Sequence, residues 1–155
     1  ASKQLGAQLK SKLVSAMQSS GPVAAISVCN LEAINITEDI SNKNNLEVGR
    51  TSLKIRNPAN TPDAWESKQL EWFNSQQASG IDVKTLEKSE IVKENGKKIF
   101  RYMKASPTQE ACMLCHGEVL STVVEEKITD LYPQDQAIGY KPGQIRGAFT
   151  IKKSL

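Results

Sequence analysis

The stretch from Glu87 to Lys104 constrains the fold most, because it predicts a β-hairpin with a single register. Asn95-Gly96 is the dipeptide typical of a two-residue type I′ turn, and strand-like runs flank it on both sides. This turn fixes the facing pairs as Glu94 and Lys97, Val92 and Ile99, Ile91 and Phe100, Glu90 and Arg101, and Glu87 and Lys104. Only Lys93 and Lys98 place like charges opposite each other. The chain is therefore expected to contain an antiparallel sheet.

The residues that follow this hairpin carry the strongest chemical signal of the chain, Cys112-Met113-Leu114-Cys115-His116. In a helix, positions three and four apart share a face, so Cys112, Cys115 and His116 can point at one ligand. The C-x-x-C-H pattern is typical of covalent c-type haem attachment, in which two thiols bond the haem vinyl groups and the imidazole binds the iron. The motif therefore predicts one covalent haem c, held by Cys112 and Cys115, with His116 as an iron ligand.

Other uses of the same motif fit less well. A thioredoxin-like C-x-x-C would follow a strand into its redox helix without needing a histidine, and a zinc site would need a fourth ligand at suitable spacing. The chain has one histidine, so once His116 is on the iron no Ser/His or metal-carboxylate arrangement indicates hydrolysis. We therefore expect a haem protein that is not an enzyme.

Composition limits the remaining classes. A chain of 155 residues fits one domain, and its apolar runs are far shorter than a membrane span, so no transmembrane segment is expected. Its net charge of +3 comes from 20 basic and 17 acidic residues that are scattered together, which argues against nucleic acid as a partner. Haem of this type is attached after export, so an extracytoplasmic location is expected, in the periplasm or thylakoid lumen. No targeting signal opens this chain, and Ala1 is expected to begin a mature or trimmed form.

The first part of the chain predicts two helices. Leu5, Leu9, Leu13 and Met17 recur every four residues and indicate an amphipathic helix that ends at Ser20-Gly21. Its narrow apolar stripe without aromatic residues favours packing on the core, or on a second copy of the chain in a homodimer, over a membrane surface. Pro22 then begins a second helix, which has Ile26, Cys29 and Ala33 on one face. The polar residues from Thr37 to Asn45 predict a loop.

The remaining segments complete an α+β pattern. Strands are predicted at 51–56 and, as the last element, at 145–152. A helix is predicted from Pro62, capped by Thr61 and containing Trp65, Leu70, Trp72 and Phe73. Two further helices are predicted, a haem helix capped by Ser106-Pro107-x-Gln109 and ended by Gly117, and a helix at 120–131. We expect an antiparallel sheet with helices packed on one side, the haem between them, and an N-terminal helical extension. The predicted division is an N-terminal helix at 1–21 and a single domain at 22–155.

Several stretches resemble the haem-c-binding PAS-like family, which occurs as single cyanobacterial proteins and as extracytoplasmic sensor domains of bacterial histidine kinases. They are Arg56 to Glu66, Cys112 to Gly117, Asp135 to Tyr140 and Arg146 to Ala148, and Ala25 to Cys29. The resemblance implies a PAS-like sheet around a covalent haem c. The last of these stretches looks like the family's helix with a lone cysteine, so the resemblance also implies Cys29 as an axial ligand of the iron.

Two functions fit such a cofactor. A haem-based sensor of redox state or a small ligand needs that signal to favour one conformation, and it acts on a signalling partner. A low-potential electron-transfer cytochrome works best with fixed six-coordinate iron and an exposed haem edge, and its partner is a redox protein. We expect the sensor, with electron transfer as the alternative.

The sixth iron position has several candidates, namely Cys29, Met17, Met103, a lysine or water. Met113 lies between the attachment cysteines, which ties it to the same side of the haem as His116. Met17 fits the apolar stripe of the first helix and Met103 a hairpin strand, so a core role is favoured for each. The family resemblance favours Cys29, whose thiolate would give a lower reduction potential than methionine.

Overall fold

The computed structural model describes the backbone of residues 1–155 and every side chain except that of Cys29. Its helices are α1 (Ser2–Asn44), α2 (Ala64–Ala78), α3 (Met113–His116) and α4 (Thr122–Leu131). Its strands are β1 (Glu47–Thr51), β2 (Glu87–Glu94), β3 (Lys97–Pro107) and β4 (Ile145–Ser154). Short 3-10 turns lie at Pro58–Asn60, Val83–Thr85 and Glu110–Cys112.

The strands form an antiparallel sheet in the order β1-β4-β3-β2, so the last strand of the chain lies inside the sheet. The β2–β3 hairpin has the predicted register, from Glu94 opposite Lys97 to Glu87 opposite Lys104. Asn95 and Gly96 adopt φ values of 49° and 80°, as a type I′ turn requires. The predicted α+β class, hairpin and C-terminal strand are thus confirmed.

Helix α1 is bent back on itself at Gly21, whose φ of 78° and ψ of −177° lie outside helical space. Glycine is suited to this conformation because it has no Cβ. The two arms run side by side, since Leu5 and Ile40 pack in one cluster and Lys12 lies 2.9 Å from Glu32. The predicted break at Ser20-Gly21 and restart at Pro22 is confirmed. The division of the chain into 1–21 and 22–155 stays a prediction.

The prediction of a loop from Thr37 to Asn45 is wrong, because the second arm of α1 continues to Asn44. Its polar side chains bond the carbonyl one turn earlier, as Thr37 does to Ala33 at 2.7 Å and Ser41 to Thr37 at 2.8 Å. Ile40 is fully buried against Leu5 and the sheet. Burial against distant residues therefore outweighs the low helix propensity of this segment.

The two faces of the sheet carry different helices. Met103 and Ala105 of β3 pack under α2 with Leu70 and Phe73. On the opposite face, Tyr102 and its neighbours pack under α1, in a cluster that also holds Leu5, Leu9, Ile36, Ile40, Val48, Phe149 and Ile151. The N-terminal extension thus closes the face that α2 leaves open.

Three predicted boundaries are wrong. The strand predicted at 51–56 lies earlier, because Ser52 makes a turn in which its hydroxyl accepts from the Lys54 N–H. Helix α2 is capped not by Thr61 but by Asp63, which forms a capping box with Glu66.

Ser106 and Pro107 continue β3 and do not cap the helix of the C-x-x-C-H motif. The chain turns only at Thr108, whose hydroxyl donates to the carbonyls of Lys141 and Gln144. Helix α4 ends before Tyr132-Pro133, as predicted.

Candidate haem-attachment site

The C-x-x-C-H motif lies at the end of β3, on the 3-10 turn and helix α3 that follow it. The Sγ of Cys112 accepts from the Gln109 N–H at 3.3 Å, which closes the turn. Helix α3 ends at His116, as predicted, and Gly117 donates its N–H to the Met113 carbonyl at 3.0 Å. A Cβ on Gly117 would lie 2.6 Å from that same oxygen, so only glycine fits this close approach.

Cys115 packs in an apolar cluster that joins three elements. Ile26 comes from the second arm of α1, and Val124, Ile128 and Tyr132 come from α4 and its end. Leu120 and Leu131 cover the same cluster. Helix α3, the candidate attachment helix, is therefore held between α1 and α4, with Cys115 on an apolar wall.

His116 is held in one tautomer. Its Nδ1 lies 2.7 Å from the carbonyl of Ala137, and a carbonyl only accepts, so Nδ1 carries the proton and Nε2 keeps its lone pair. The ring meets Tyr140 edge-on, with the ring centroids 6.3 Å apart. Burial, with the positive charges of Arg146 and Arg56, lowers the pKa of His116 from 6.5 to about 3. The imidazole is thus neutral near pH 7, which is the form that binds a metal.

Arg56 forms a clamp beneath this histidine. Its guanidinium makes two bonds to Asp135, through Nε and Nη2, each at 3.0 Å. The same Nη2 donates to the carbonyl of Cys115 at 2.6 Å and to that of Ala137 at 3.2 Å. Asp135 in turn accepts the Ala137 N–H at 2.9 Å. Ala137, whose carbonyl orients His116, is therefore held at both its N–H and its carbonyl.

Backbone bonds join the segments around the clamp. Tyr140 donates its N–H to the His116 carbonyl and Gly139 donates to the Gly117 carbonyl, both at 2.9 Å. Gln136 donates its N–H to the Ile55 carbonyl at 2.8 Å. The end of α3, the segment after β1 and the segment at 135–140 thus form one hydrogen-bonded unit.

The site carries a surplus of positive charge. Arg146 donates from Nη1 to the Ser52 hydroxyl at 2.9 Å, and Lys54 donates from Nζ to the Ile138 carbonyl at 3.1 Å. Both cations lie over the Tyr140 ring, 4.9 Å from its centroid for Lys54 and 5.4 Å for Arg146. Among the side chains that the structure describes, no carboxylate lies within 4.0 Å of either cation. Asp135, which pairs with Arg56 at 3.0 Å, offsets part of this charge.

A sequence model of the Tll0287-like family matches residues 2–154, nearly the whole chain. The chain belongs to the Tll0287-like family. Its fold is similar to that of the crystal structure of the cyanobacterial haem protein Tll0287, with a TM-score of 0.69 over 97% of this chain and 90% of that chain, at 22% identity. No curated protein matches the chain.

Membership of the Tll0287-like family confirms the relationship inferred from the motif stretches. Two of those stretches contain the clamp residues Arg56 and Asp135, whose pairing was not predicted from the sequence. Their position in these motifs indicated that both residues matter to the family. No pattern in the sequence indicated that they pair with each other.

The other candidate ligands belong to three segments, strand β3 and the two arms of α1. Met103 is fully buried in the cluster under α2, which confirms its core role. Met17 is half-buried on the first arm of α1. Cys29 belongs to the second arm, but its side chain lies outside the described part, so its ligand role stays a prediction.

Two features are absent from the described residues. No group of three or more His, Cys, Asp or Glu side chains there could hold a metal ion. Over the same residues, no helix combines the length and apolar character that crossing a membrane demands.

Proposed function

We propose that this chain binds one haem c covalently through Cys112 and Cys115, with His116 on the iron, and that it senses redox state or a small ligand. The observation that carries the proposal is the hydrogen bond from His116 Nδ1 to the Ala137 carbonyl. It leaves Nε2 as the metal-binding atom, within one helical turn of two cysteine thiols.

The residues present suit this group in three respects. Cys112 and Cys115 are thiols, as thioether formation requires. The apolar wall around Cys115 suits the porphyrin, and the surplus charge of Lys54 and Arg146 suits its two carboxylates. When bound, the haem would supply a one-electron iron centre that can also take a small ligand. Tll0287 is described as a haem protein, and the shared fold supports the same cofactor here.

The sensor function is favoured by the way His116 is tied to its surroundings. Its ring bonds Ala137, its own carbonyl bonds Tyr140, and Arg56 links Ala137 to the segment that follows β1. A change in the bond between His116 and the iron would therefore bias the positions of segments 52–56 and 135–140, which lead to β1 and β4 of the sheet.

Electron transfer is the second candidate, and a different observation favours it. Leu114, Val119 and Ile138 lie near the attachment helix with 49%, 88% and 46% of their surface exposed. Exposed apolar residues around a haem edge are suited to brief docking of a redox partner. In this case the partner would be a redox protein, whereas a sensor would act on a signalling protein.

For the second axial position we propose Cys29, on the basis of the sequence resemblance. Ile26, three residues earlier on the second arm of α1, packs in the same cluster as Cys115, which brings this arm beside the attachment helix. We expect a low-spin ferric spectrum with thiolate character that is lost in Cys29→Ser while covalent haem remains. An unchanged spectrum in that variant would assign the position to another ligand.

We further propose that the chain lies outside the cytoplasm, in the periplasm or thylakoid lumen, because haem of this type is attached after export. We propose no enzymatic activity, because the one histidine of the chain is assigned to the iron. We propose no nucleic-acid partner, because the basic and acidic residues are scattered together. A homodimer through α1 remains part of the proposal. Sedimentation of the haem-loaded protein at two concentrations tests the homodimer, which predicts a mass of two chains.

Hydrogen exchange in the oxidised and reduced haem-loaded protein distinguishes the two functions. A sensor predicts that amide exchange at 52–56 and 135–140 differs between the two states, while the β2–β3 hairpin serves as the internal reference. Identical exchange in both states would favour the electron carrier.

His116→Ala should retain thioether-linked haem with altered iron ligation, and loss of covalent haem in this variant would contradict the assigned roles.

A further inference from the structure

We infer that the Arg56–Asp135 pair sets the reduction potential of the proposed haem through the Ala137 carbonyl, with Arg56 raising the potential and Asp135 lowering it. The inference rests on the proposed function, since it takes His116 as the iron ligand. Both residues act through another group and are thus positioning residues.

The geometry gives Ala137 O two donors, His116 Nδ1 at 2.7 Å and Arg56 Nη2 at 3.2 Å. A carbonyl oxygen has two lone pairs, and a cationic donor on one of them draws electron density from the other. Arg56 therefore weakens the acceptor that His116 uses. A weaker acceptor leaves the imidazole less basic, and a less basic ligand stabilises the ferric iron less.

Direct electrostatics acts in the same direction. Oxidation adds one positive charge at the iron, so a nearby cation raises the potential and a nearby anion lowers it. The exposed fraction is 11% for the Arg56 side chain and 8% for that of Asp135, so water screens their charges little. In the intact pair the two effects oppose each other, and the removal of one partner leaves the other unbalanced.

This arrangement gives a test in which the sign of the effect decides. R56Q removes the cation and leaves the carboxylate, so the potential of the haem-loaded protein should fall. D135N removes the anion, keeps an oxygen for the Ala137 N–H and leaves the cation, so the potential should rise. A merely structural ion pair would lower the melting temperature in both variants without separating their potentials.

Matched controls come from an exposed pair with the same charges. Lys43 and Asp39 lie 2.6 Å apart near the end of α1, about 20–25 Å further along the helix than Ile26. K43Q and D39N change the net charge by the same amounts as R56Q and D135N, and both should leave the potential unchanged. D135E, which keeps the carboxylate, should return the potential towards that of the unaltered chain.

The measurement is a spectroelectrochemical titration of each haem-loaded variant, with a thermal melt to check folding. Opposite shifts for R56Q and D135N, absent in the controls, support the inference. Shifts of the same sign, or none, overturn it. If R56Q does not fold, D135N and D135E decide: the inference predicts a rise in the first and near-recovery in the second, and equal shifts contradict it. If the unaltered chain carries no covalent haem, the proposed function itself fails.

Discussion

Two buried arginines stabilise different parts of this molecule in different ways. Arg101, with 1% of its side chain exposed, contacts three carboxylates, Asp63 at 2.8 Å, Glu66 at 3.3 Å and Glu94 at 2.9 Å. Arg56 contacts one carboxylate and two backbone carbonyls.

The partners explain what each arginine does. Those of Arg101 belong to the start of α2 and the end of β2, so this network fixes a helix to the sheet. Those of Arg56 surround the histidine of the C-x-x-C-H motif. Arg101 serves the fold, whereas Arg56 also serves the site.

The largest expected effect is that of Arg101→Met on stability. The change leaves Glu66 buried without its cation, and breaking a buried ion pair on one side costs about 3–5 kcal/mol. We expect the upper part of this range in urea denaturation of the haem-free protein. Lys152→Gln is the control, because the half-exposed contact of Lys152 with Asp63 at 3.0 Å should contribute below about 1 kcal/mol. Equal losses in the two variants would mean that Arg101 does not hold α2.

Arg56→Met should have a smaller effect on stability than Arg101→Met. Asp135 keeps its bond from the Ala137 N–H, so about 3 kcal/mol is expected from the loss of its cation. The same urea denaturation measures it. The absorption spectra of the haem-loaded forms distinguish the two arginines, because the spectrum should change in Arg56→Met and stay unaltered in Arg101→Met. A reversed pattern would contradict the division between fold and site.

Gly117→Ala tests the close approach at the end of α3. Its Cβ would meet the Met113 carbonyl at 2.6 Å, and forcing a methyl group into a packed site costs about 1–3 kcal/mol. Gly49→Ala is the control, since its Cβ would meet only a methyl of Thr150 at 3.3 Å. If Gly117→Ala is no less stable than Gly49→Ala in thermal melts, the end of α3 is not rigid.

The smallest expected effect is the change in the free energy of unfolding of the haem-free protein per pH unit. The pKa of His116 is lowered from 6.5 to about 3, so its neutral form stabilises the fold fully above pH 6.5. This contribution is lost as pH falls towards 3, at about 1 kcal/mol per pH unit. The stability difference between the unaltered chain and His116→Gln should shrink over this window. A difference that is constant with pH would show that His116 is not buried as a neutral group.

How far the sequence predicts the fold depends on the range of the interactions. Asn95-Gly96, the break at Gly21 and the C-x-x-C-H helix with Gly117 are local signals, and the structure contains each of them. The helical course of Thr37 to Asn44 depends on Leu5 and the sheet, which are distant in sequence. The pairing of Arg56 with Asp135 spans 79 positions, and no local pattern encodes it. The local course of the C-x-x-C-H segment was therefore predictable, whereas the residues that orient His116 were not.

Covalent haem attachment is tested most directly by a pyridine haemochrome spectrum and the intact mass of the protein, expressed together with a c-type haem maturation system. Covalent attachment through two thioethers predicts a c-type haemochrome and a mass raised by one haem, both lost in Cys112→Ala and Cys115→Ala. Met113→Leu, which alters the motif between the cysteines, should retain both. A colourless chain of unmodified mass, or haem that organic solvent extracts from the unaltered protein, would contradict covalent haem attachment.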